Sequence, residues 1–174
     1  MLRDVSLELA RSHYLVSVIA RDETRLLELT NEARDFGGDI HPLSVDVKNT
    51  HLLTASLNMA MSLYGPIHLV VDWASPKASL DIAKMVSSAD KPCPYFHVLG
   101  SSAANPSCDD SQRSERFNTL ANISYHEIIL GFVIKADGSR WLTHEEICQG
   151  ILTAIDQQAS RFIVGTVEPW SARP

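Results

Sequence analysis

The stretch YLVSVIARDETRLLEL, from Tyr14 to Leu29, predicts a buried strand, a polar turn and a helix. Tyr14–Ile19 is mostly apolar or β-branched, a pattern typical of a strand that is covered on both faces. Asp22 is a plausible N-cap for the helix that follows. In an open α/β sheet, ligands bind beyond the carboxyl ends of the strands. Arg21, which directly follows the strand, is therefore predicted to point into a binding crevice.

The same alternation of strands and helices continues along most of the chain. The predicted strands are Tyr14–Ala20, Ile40–Val47, Ile67–Val71, Tyr95–Leu99, Tyr125–Ile134 and Phe162–Val167. The predicted helices are Val5–Arg11, Thr24–Phe36, 50–63, Ala78–Ala89, Ser111–Leu120 and Thr143–Gln158. Alternation of this kind implies right-handed crossovers, so we expect an α/β fold with a doubly wound parallel sheet. No linker or repeat interrupts it, and residues 1–174 are predicted to form a single domain.

Composition and charge exclude several classes of protein. The chain has 174 residues, 45% hydrophobic and 21% charged, with a formal net charge of −6. The acidic balance and the lack of a basic cluster argue against nucleic-acid binding. No apolar run approaches the roughly 20 residues that span a bilayer, and the first residues do not resemble a signal peptide. We therefore expect a cytoplasmic protein without a membrane partner, in which Cys93, Cys108 and Cys148 are reduced thiols.

With this element order, the first residues resemble a known family. MLRDVSLELARS is similar to the helix that follows the glycine-rich turn of short-chain dehydrogenases/reductases, which have a Rossmann fold and bind NAD(H) or NADP(H). The resemblance implies a Rossmann-like sheet without its first strand, because that strand and the glycines would precede Met1. Two explanations are open: the start lies inside a longer reading frame, or the short form is real. In the second case, rearrangement or a partner chain fills the gap.

The resemblance also implies residues that bind the cofactor. Arg21 resembles the arginine by which NADP-preferring members bind the 2′-phosphate, although the neighbouring Asp22 leaves an NAD preference open. Asp46 and Val47 resemble the pair that contacts adenine. Ala74, in DWAS at 72–75, is the one match to the family's N-N-A-G motif. The alternatives are structural: Arg21 is simply exposed before a helix cap, and Asp46 ends a strand or caps a helix.

The catalytic motif of the family is incomplete in this chain. Ser102, in GSSAANP at 100–106, resembles the catalytic serine, although it could instead satisfy backbone groups at a strand end. In family members a Tyr-x-x-x-Lys pair transfers the proton. Tyr125 is the remaining tyrosine candidate, but it lies in a strand pattern and has no lysine four residues later. Tyr64 and Tyr95 also lack that lysine.

Other site motifs are not supported by the sequence. The segment HEEIC at 144–148 begins like the zinc motif H-E-x-x-H but lacks its second histidine, so we expect no metal site there. Thr143 and Glu146 instead have the spacing of a helix capping box. Neither a G-x-S-x-G elbow nor a P-loop occurs.

Three functional hypotheses remain. The first is an NADP(H)-dependent oxidoreductase acting on a carbonyl or alcohol, with a dinucleotide and a small-molecule substrate as partners. The second is a non-catalytic module for nucleotide binding or protein association. The third is a truncated product that binds no cofactor. Association into a homo-oligomer is also predicted, because family members commonly associate and an unfilled sheet position exposes strand edges.

Overall fold

The computed structural model describes residues 1–87, 91–105, 107 and 112–174, which form two compact units. Unit 1 is Met1–Pro66 and unit 2 is Ile67–Pro174. Cys108, the last residues of the helix predicted to end at Ala89 and the first of the helix predicted from Ser111 lie outside the described residues. That residues 1–174 form a single domain stays a prediction.

Unit 1 is built from two parallel strands and three helices. Its elements are α1 (Arg3–Arg11), β1 (Leu15–Ala20), α2 (Glu23–Asp35), β2 (Asp39–Ser44) and α3 (Thr50–Tyr64). β1 and β2 run in parallel register from the pair Leu15–Asp39 to the pair Ala20–Ser44. Both strands therefore end at the same edge, which is where this unit can offer a binding surface.

Local sequence signals set the limits of the helices in unit 1. The Asp22 carboxylate accepts a hydrogen bond from the Arg25 backbone N–H at 3.1 Å, so Asp22 is the predicted N-cap of α2. Gly37 ends that helix with a φ of 78°, a conformation that residues with a side chain rarely adopt. Asn49 caps α3 in the same way, through the Leu52 N–H at 3.2 Å. These ends confirm the predicted order of elements in this part of the chain.

The core of unit 1 lies between α1, α2 and the two strands. Its buried residues are Leu7, Ala10, Leu29, Ala33 and Ile40, with Val16, Val18 and Phe36 packed against them. Burying such apolar side chains contributes about 1.5–3 kcal/mol for each large one.

Unit 2 contains a four-stranded parallel sheet and a separate hairpin. Its strands are β3 (Val70–Asp72), β4 (Cys93–Gly100), β5 (Ile123–Leu130), β6 (Phe132–Lys135), β7 (Gly138–Trp141) and β8 (Arg161–Val164). Its helices are α4 (Pro76–Val86), α5 (Gln112–Asn118) and α6 (His144–Gln157). The order in the sheet is β3-β4-β5-β8, with parallel pairing throughout.

Helices cover both faces of the sheet in unit 2. Ser79 of α4 contacts His97, whose side chain lies on one face. Gly150 of α6 packs against Val164 so closely that an added Cβ would lie 2.4 Å from its side chain. Val164 lies in the row of Gly100 and Leu130, on the opposite face to the row of His97. A parallel α/β sheet with helices on both faces is thus confirmed for this unit.

The prediction of one strand from Tyr125 to Ile134 is wrong, because the chain leaves the sheet at Gly131. The Gly131 N–H donates to the Val164 carbonyl at 3.0 Å, and a Cβ at this position would lie 2.1 Å from the Thr166 carbonyl oxygen. Phe132 then pairs with Thr166, and the chain enters the antiparallel hairpin of β6 and β7. The sequence prediction placed only a turn at Ala136–Ser139 and missed β7.

Within the described residues, β1 pairs with β2 alone and β3 pairs with β4 alone. This pairing is consistent with the expected Rossmann-like parallel sheet. No described helix is both long and apolar enough to cross a bilayer.

Candidate functional site

The strand ends of unit 1 bring three of the predicted cofactor residues to one edge. Ala20, the last residue of β1, pairs with Ser44, the last of β2, and the Val45 N–H donates to the Ala20 carbonyl at 3.0 Å. Arg21 therefore follows one strand end while Asp46 and Val47 follow the adjacent one. We conclude that the chain places these predicted residues together.

The charges at this edge differ in how they are held. Arg21 is exposed and has no ion-pair partner within the residues that the structure describes. The Asp46 carboxylate is half-buried and accepts the Lys48 N–H at 2.9 Å, which fixes its orientation. Asp22 is engaged twice by Arg25, at 3.1 Å through the backbone N–H and at 3.3 Å through Nε. The edge therefore offers an exposed guanidinium beside carboxylates that already have partners.

The strand ends of unit 2 form a second edge. β3 ends at Asp72, so that Trp73 and Ala74 follow it, and β4 ends at Gly100. A Cβ added to Gly100 would lie 4.0 Å from the Trp73 ring, so the indole reaches the end of β4. Trp73 is 41% exposed and Ala74 is half-buried. A large aromatic ring thus lies where the family motif has a small polar residue.

Two consecutive serines beyond β4 have different environments. Ser101 is buried, and its Oγ accepts a hydrogen bond from Arg173 Nε at 2.9 Å. Ser102 is exposed in the 3-10 turn Ser101–Ala104, and its hydroxyl faces no described hydrogen-bond partner. Of the two, Ser102 offers the hydroxyl that a substrate could reach.

A row of ionisable side chains crosses one face of the sheet in unit 2. Asp72 pairs in register with His97, His97 with Glu127, and Glu127 with Arg161. Asp72 and His97 are buried, and the Asp72 carboxylate accepts the Tyr95 hydroxyl at 2.9 Å. Buried polar groups of this kind are stable only when they are hydrogen-bonded to one another.

His97 lies at the centre of this network. Its Nε2 is 3.2 Å from Ser79 Oγ, and its Nδ1 is 3.0 Å from the Tyr125 hydroxyl oxygen. Burial lowers the pKa of His97, against the opposing influence of the Asp72 and Glu127 carboxylates. We infer that His97 is a neutral ring that links α4 to β5.

Tyr125 is bound into the same network. Its hydroxyl donates to Glu127 Oε1 at 3.3 Å, and its ring stacks on Phe117 at a centroid distance of 4.2 Å. Arg113 pairs with the same Glu127 oxygen at 3.2 Å. Burial, followed by the negative charge of Glu127, raises the pKa of Tyr125 well above its usual range. The hydroxyl therefore gives up its proton less readily than that of an ordinary tyrosine.

The structure does not bring Tyr125 to Ser102. Tyr125 pairs with Tyr95, whereas the end of β4 at Gly100 pairs with Leu130. Five strand residues separate these two levels, which is about 16 Å at 3.3 Å per residue. The two residues predicted to be catalytic lie at different heights of the sheet, and their catalytic roles stay predictions.

Sequence reasoning missed Asp72, His97 and Arg173. Tyr95 and His97, and likewise Tyr125 and Glu127, stand two residues apart in their strands. That spacing places each pair on one face and is the signal from which the polar row could have been found. Arg173 carried no such signal, because its contact with Ser101 spans 72 positions.

The fit of a nicotinamide dinucleotide is partial. An exposed arginine beyond a parallel strand end suits the phosphate of the adenosine half. The glycine-rich turn that cradles a pyrophosphate is not found among the described strand-to-helix turns, and Trp73 replaces a small residue. The described residues also contain no cluster of three or more side chains that could hold a metal ion.

Comparison with known proteins places this arrangement in a known fold. No family model matches the chain. A search of curated proteins also gives no match. Solved structures do match, among them a 7α-hydroxysteroid dehydrogenase complexed with NADH and 7-oxo glycochenodeoxycholic acid, with a TM-score of 0.72 and 12% identity over 94% of this chain and 87% of that one. The chain has the fold of the short-chain dehydrogenases/reductases.

Two further structures support this conclusion. A short-chain dehydrogenase from Rhodopseudomonas palustris matches with a TM-score of 0.64 and 16% identity, over 94% of this chain and 92% of that one. The F189W actinorhodin polyketide ketoreductase with NADPH matches with a TM-score of 0.68 and 13% identity, over 95% and 91%. The structural similarity establishes the short-chain dehydrogenase/reductase fold of the chain. Identities this low do not establish its activity.

Proposed function

We propose that the protein is an NADP(H)-dependent oxidoreductase acting on a carbonyl or alcohol substrate. The observation that carries this proposal is the position of Arg21, exposed beyond β1 and beside Asp46 and Val47 at the end of β2. The similar structures with NADH and NADPH are consistent with a nicotinamide dinucleotide as the ligand.

Arg21 and Asp22 argue for NADP(H) over NAD(H). A guanidinium with free donors pairs well with a 2′-phosphate. An NAD-preferring site needs a carboxylate that is free to accept the ribose hydroxyls. Asp22 is not free in this sense, because both of its oxygens contact Arg25. Asp46 and Val47 would lie beside the adenine.

In unit 2, Ala74 and Ser102 would serve the reacting end of the ligands. Ala74, which follows β3, is proposed to contact the cofactor, and the exposed Ser102 hydroxyl would donate a hydrogen bond to the substrate oxygen and so polarise the carbonyl. A bound reduced dinucleotide would supply a hydride. Tyr125 lies five strand residues away from the level of Gly100, and its hydroxyl already donates a hydrogen bond to Glu127. The proton is therefore proposed to come from water at the strand end.

A second candidate function is nucleotide binding without turnover. The burial of Tyr125, its bond to Glu127 and the absence of a lysine four residues later favour this alternative over ordinary reductase chemistry. In this case the fold would serve nucleotide sensing or association with a protein partner, including a second copy of the chain.

Separate titrations with NADPH and NADH test the binding step. We expect NADPH to bind more tightly than NADH, and Arg21→Ala to weaken NADPH binding about tenfold or more, with NADH little changed. Arg34→Ala is the matched control, because it removes the same charge from the exposed last turn of α2. Equal binding of both dinucleotides, or the same loss in both variants, would contradict the proposed role of Arg21.

A panel of carbonyl compounds then separates the two candidate functions. Oxidation of bound NADPH by a carbonyl compound supports the oxidoreductase. In Ser102→Ala the rate of this oxidation should be lower, while the affinity for NADPH is retained. Tight NADPH binding without turnover across the panel supports the non-catalytic alternative. If neither dinucleotide binds, both candidates that bind a nucleotide fail, and the hypotheses of a protein-association module and of a product without cofactor binding remain.

A further inference from the structure

We propose that Arg173 is a specificity residue that binds the carboxylate of a short oxo-acid substrate. This inference rests on the proposed oxidoreductase function and narrows its substrate class. It starts from an arginine that lies beside the strand end of β4 and has no part in the proposed cofactor contacts.

The position of the Arg173 guanidinium is fixed by three contacts. Nε donates to the buried Ser101 Oγ at 2.9 Å. The guanidinium carbon lies 5.1 Å from the ring centroid of Trp141 and 5.2 Å from that of Trp170. Cation–π contacts at these distances hold an arginine while leaving its in-plane donors available. Arg173 is therefore prearranged, although its side chain is exposed.

The backbone that carries Arg173 is also anchored. Ser139 of the hairpin donates its hydroxyl to the Ala172 carbonyl. The Arg173 N–H donates to the Trp170 carbonyl at 3.2 Å, within a short 3-10 turn. A side chain held at both its backbone and its Nε loses little conformational freedom when it binds a ligand.

The outer donors of this arginine remain available for an anion. Neither Nη1 nor Nη2 of Arg173 has a hydrogen-bond or ion-pair partner within the described part of the chain. The nearby hairpin arginine, Arg140, is by contrast paired with both oxygens of Glu146 at 2.8 Å. A guanidinium fork with free donors matches the geometry of a carboxylate.

The location of the fork indicates where on the substrate the carboxylate lies. Arg173 is bonded to Ser101, and Ser102 is the next residue, with its hydroxyl exposed. A carboxylate at Arg173 would therefore place a carbonyl a few bonds away beside Ser102, as in a 2-oxo or 3-oxo acid. An oxo acid offers a partner to both residues, its carboxylate to Arg173 and its carbonyl to Ser102, whereas inorganic phosphate has no carbonyl group.

Tryptophan fluorescence provides a direct binding test that needs neither dinucleotide nor turnover. Trp141 and Trp170 flank the guanidinium, so a bound anion is expected to change their emission. The probes are acetoacetate, its neutral methyl ester and inorganic phosphate, at equal ionic strength. We expect a saturable change with acetoacetate, none with the ester, and at least about tenfold weaker acetoacetate binding in Arg173→Gln.

The control variant is Arg116→Gln, which removes the same charge from the exposed surface of α5. It should bind acetoacetate as the unmodified protein does. The proposal is overturned if the unmodified protein gives no change with acetoacetate, if the ester or phosphate binds as well, or if Arg173→Gln retains the response. Because NADPH titration reports on Arg21 separately, failure here is distinguishable from failure of the proposed cofactor binding.

With NADPH present, the same pair of probes tests specificity in turnover. We expect Arg173→Gln to raise KM for acetoacetate by about tenfold or more while changing kcat less, and to leave KM for the ester unchanged. An equal rise in KM for acetoacetate and for its methyl ester would mean that Arg173 serves the structure alone and would overturn the proposal.

Discussion

Nδ1 of His97 lies 3.0 Å from the hydroxyl oxygen of Tyr125, inside the face of the sheet that α4 and α5 cover. This contact joins β4 to β5 at a level well below the strand ends. It also defines the part of the site that departs most from the family resemblance, because the tyrosine best matched to a catalytic role is used to satisfy a buried histidine.

Tyr125→Phe is expected to destabilise the protein by about 1–3 kcal/mol, because it removes the hydroxyl partner of His97 and of Glu127. Urea unfolding measures this loss. Tyr14→Phe is a control with an exposed ring. Any NADPH turnover should persist in Tyr125→Phe under conditions in which this variant is folded. A complete loss of turnover in the folded variant would instead support a catalytic Tyr125.

The stability of the protein should fall as the pH drops below about 6.5, the ordinary pKa of histidine. Because the pKa of His97 is lowered in the folded state, the unfolded chain takes up a proton between that ordinary value and the folded one. The free energy of unfolding then decreases by up to about 1.4 kcal/mol for each pH unit, and it levels off below the folded pKa.

Urea unfolding between pH 7.5 and 5 measures this dependence. His97→Gln should show a shallower slope, and His144→Gln, at an exposed position, should keep the slope of the unmodified protein. Identical slopes in all three proteins would show that His97 is not the group that titrates.

Glycines at neighbouring strand ends should respond differently to substitution. A Cβ on Gly131 would lie 2.1 Å from the Thr166 carbonyl oxygen, whereas one on Gly100 meets only the Trp73 ring at 4.0 Å. Gly131→Ala is therefore expected to cost about 1–3 kcal/mol, and Gly100→Ala much less. Thermal unfolding compares the two variants, and equal losses would contradict the close approach at Gly131.

Elements with signals in adjacent residues were predictable from the sequence. Asp22 and Asn49 cap the helices that follow them, and Gly37 ends α2, because each of these signals acts within a few residues. The strand from Tyr14 was equally predictable, and the structure shortens it by one residue to Leu15–Ala20. Its predicted burial on both faces is wrong, because Leu15 and Ser17 are exposed. Capping and periodicity are local properties, so the order of elements follows from them.

Features that depend on register were not predictable. Tyr125 was correctly assigned to a strand, but its contact with His97 depends on how β4 and β5 align. The break at Gly131 has the same origin, since the close approach comes from Thr166, 35 positions away by the numbering. The sequence shows which residues alternate, whereas packing decides which of them meet.

The capping box of α6 provides a final prediction, on the titration of one carboxyl group. Glu146 accepts two hydrogen bonds from Arg140 at 2.8 Å and one from the Thr143 N–H at 2.8 Å. The hydrogen bonds from Arg140, more than the backbone bond, lower the pKa of Glu146 to about 2.

Arg140→Ala should raise this pKa towards, but not up to, the ordinary glutamate value, because the Thr143 bond remains. Carboxyl-carbon NMR shifts followed over pH measure it, with Lys135→Ala as a control that removes another cation from the same hairpin. An unchanged Glu146 titration in Arg140→Ala would show that the ion pair is not formed in solution.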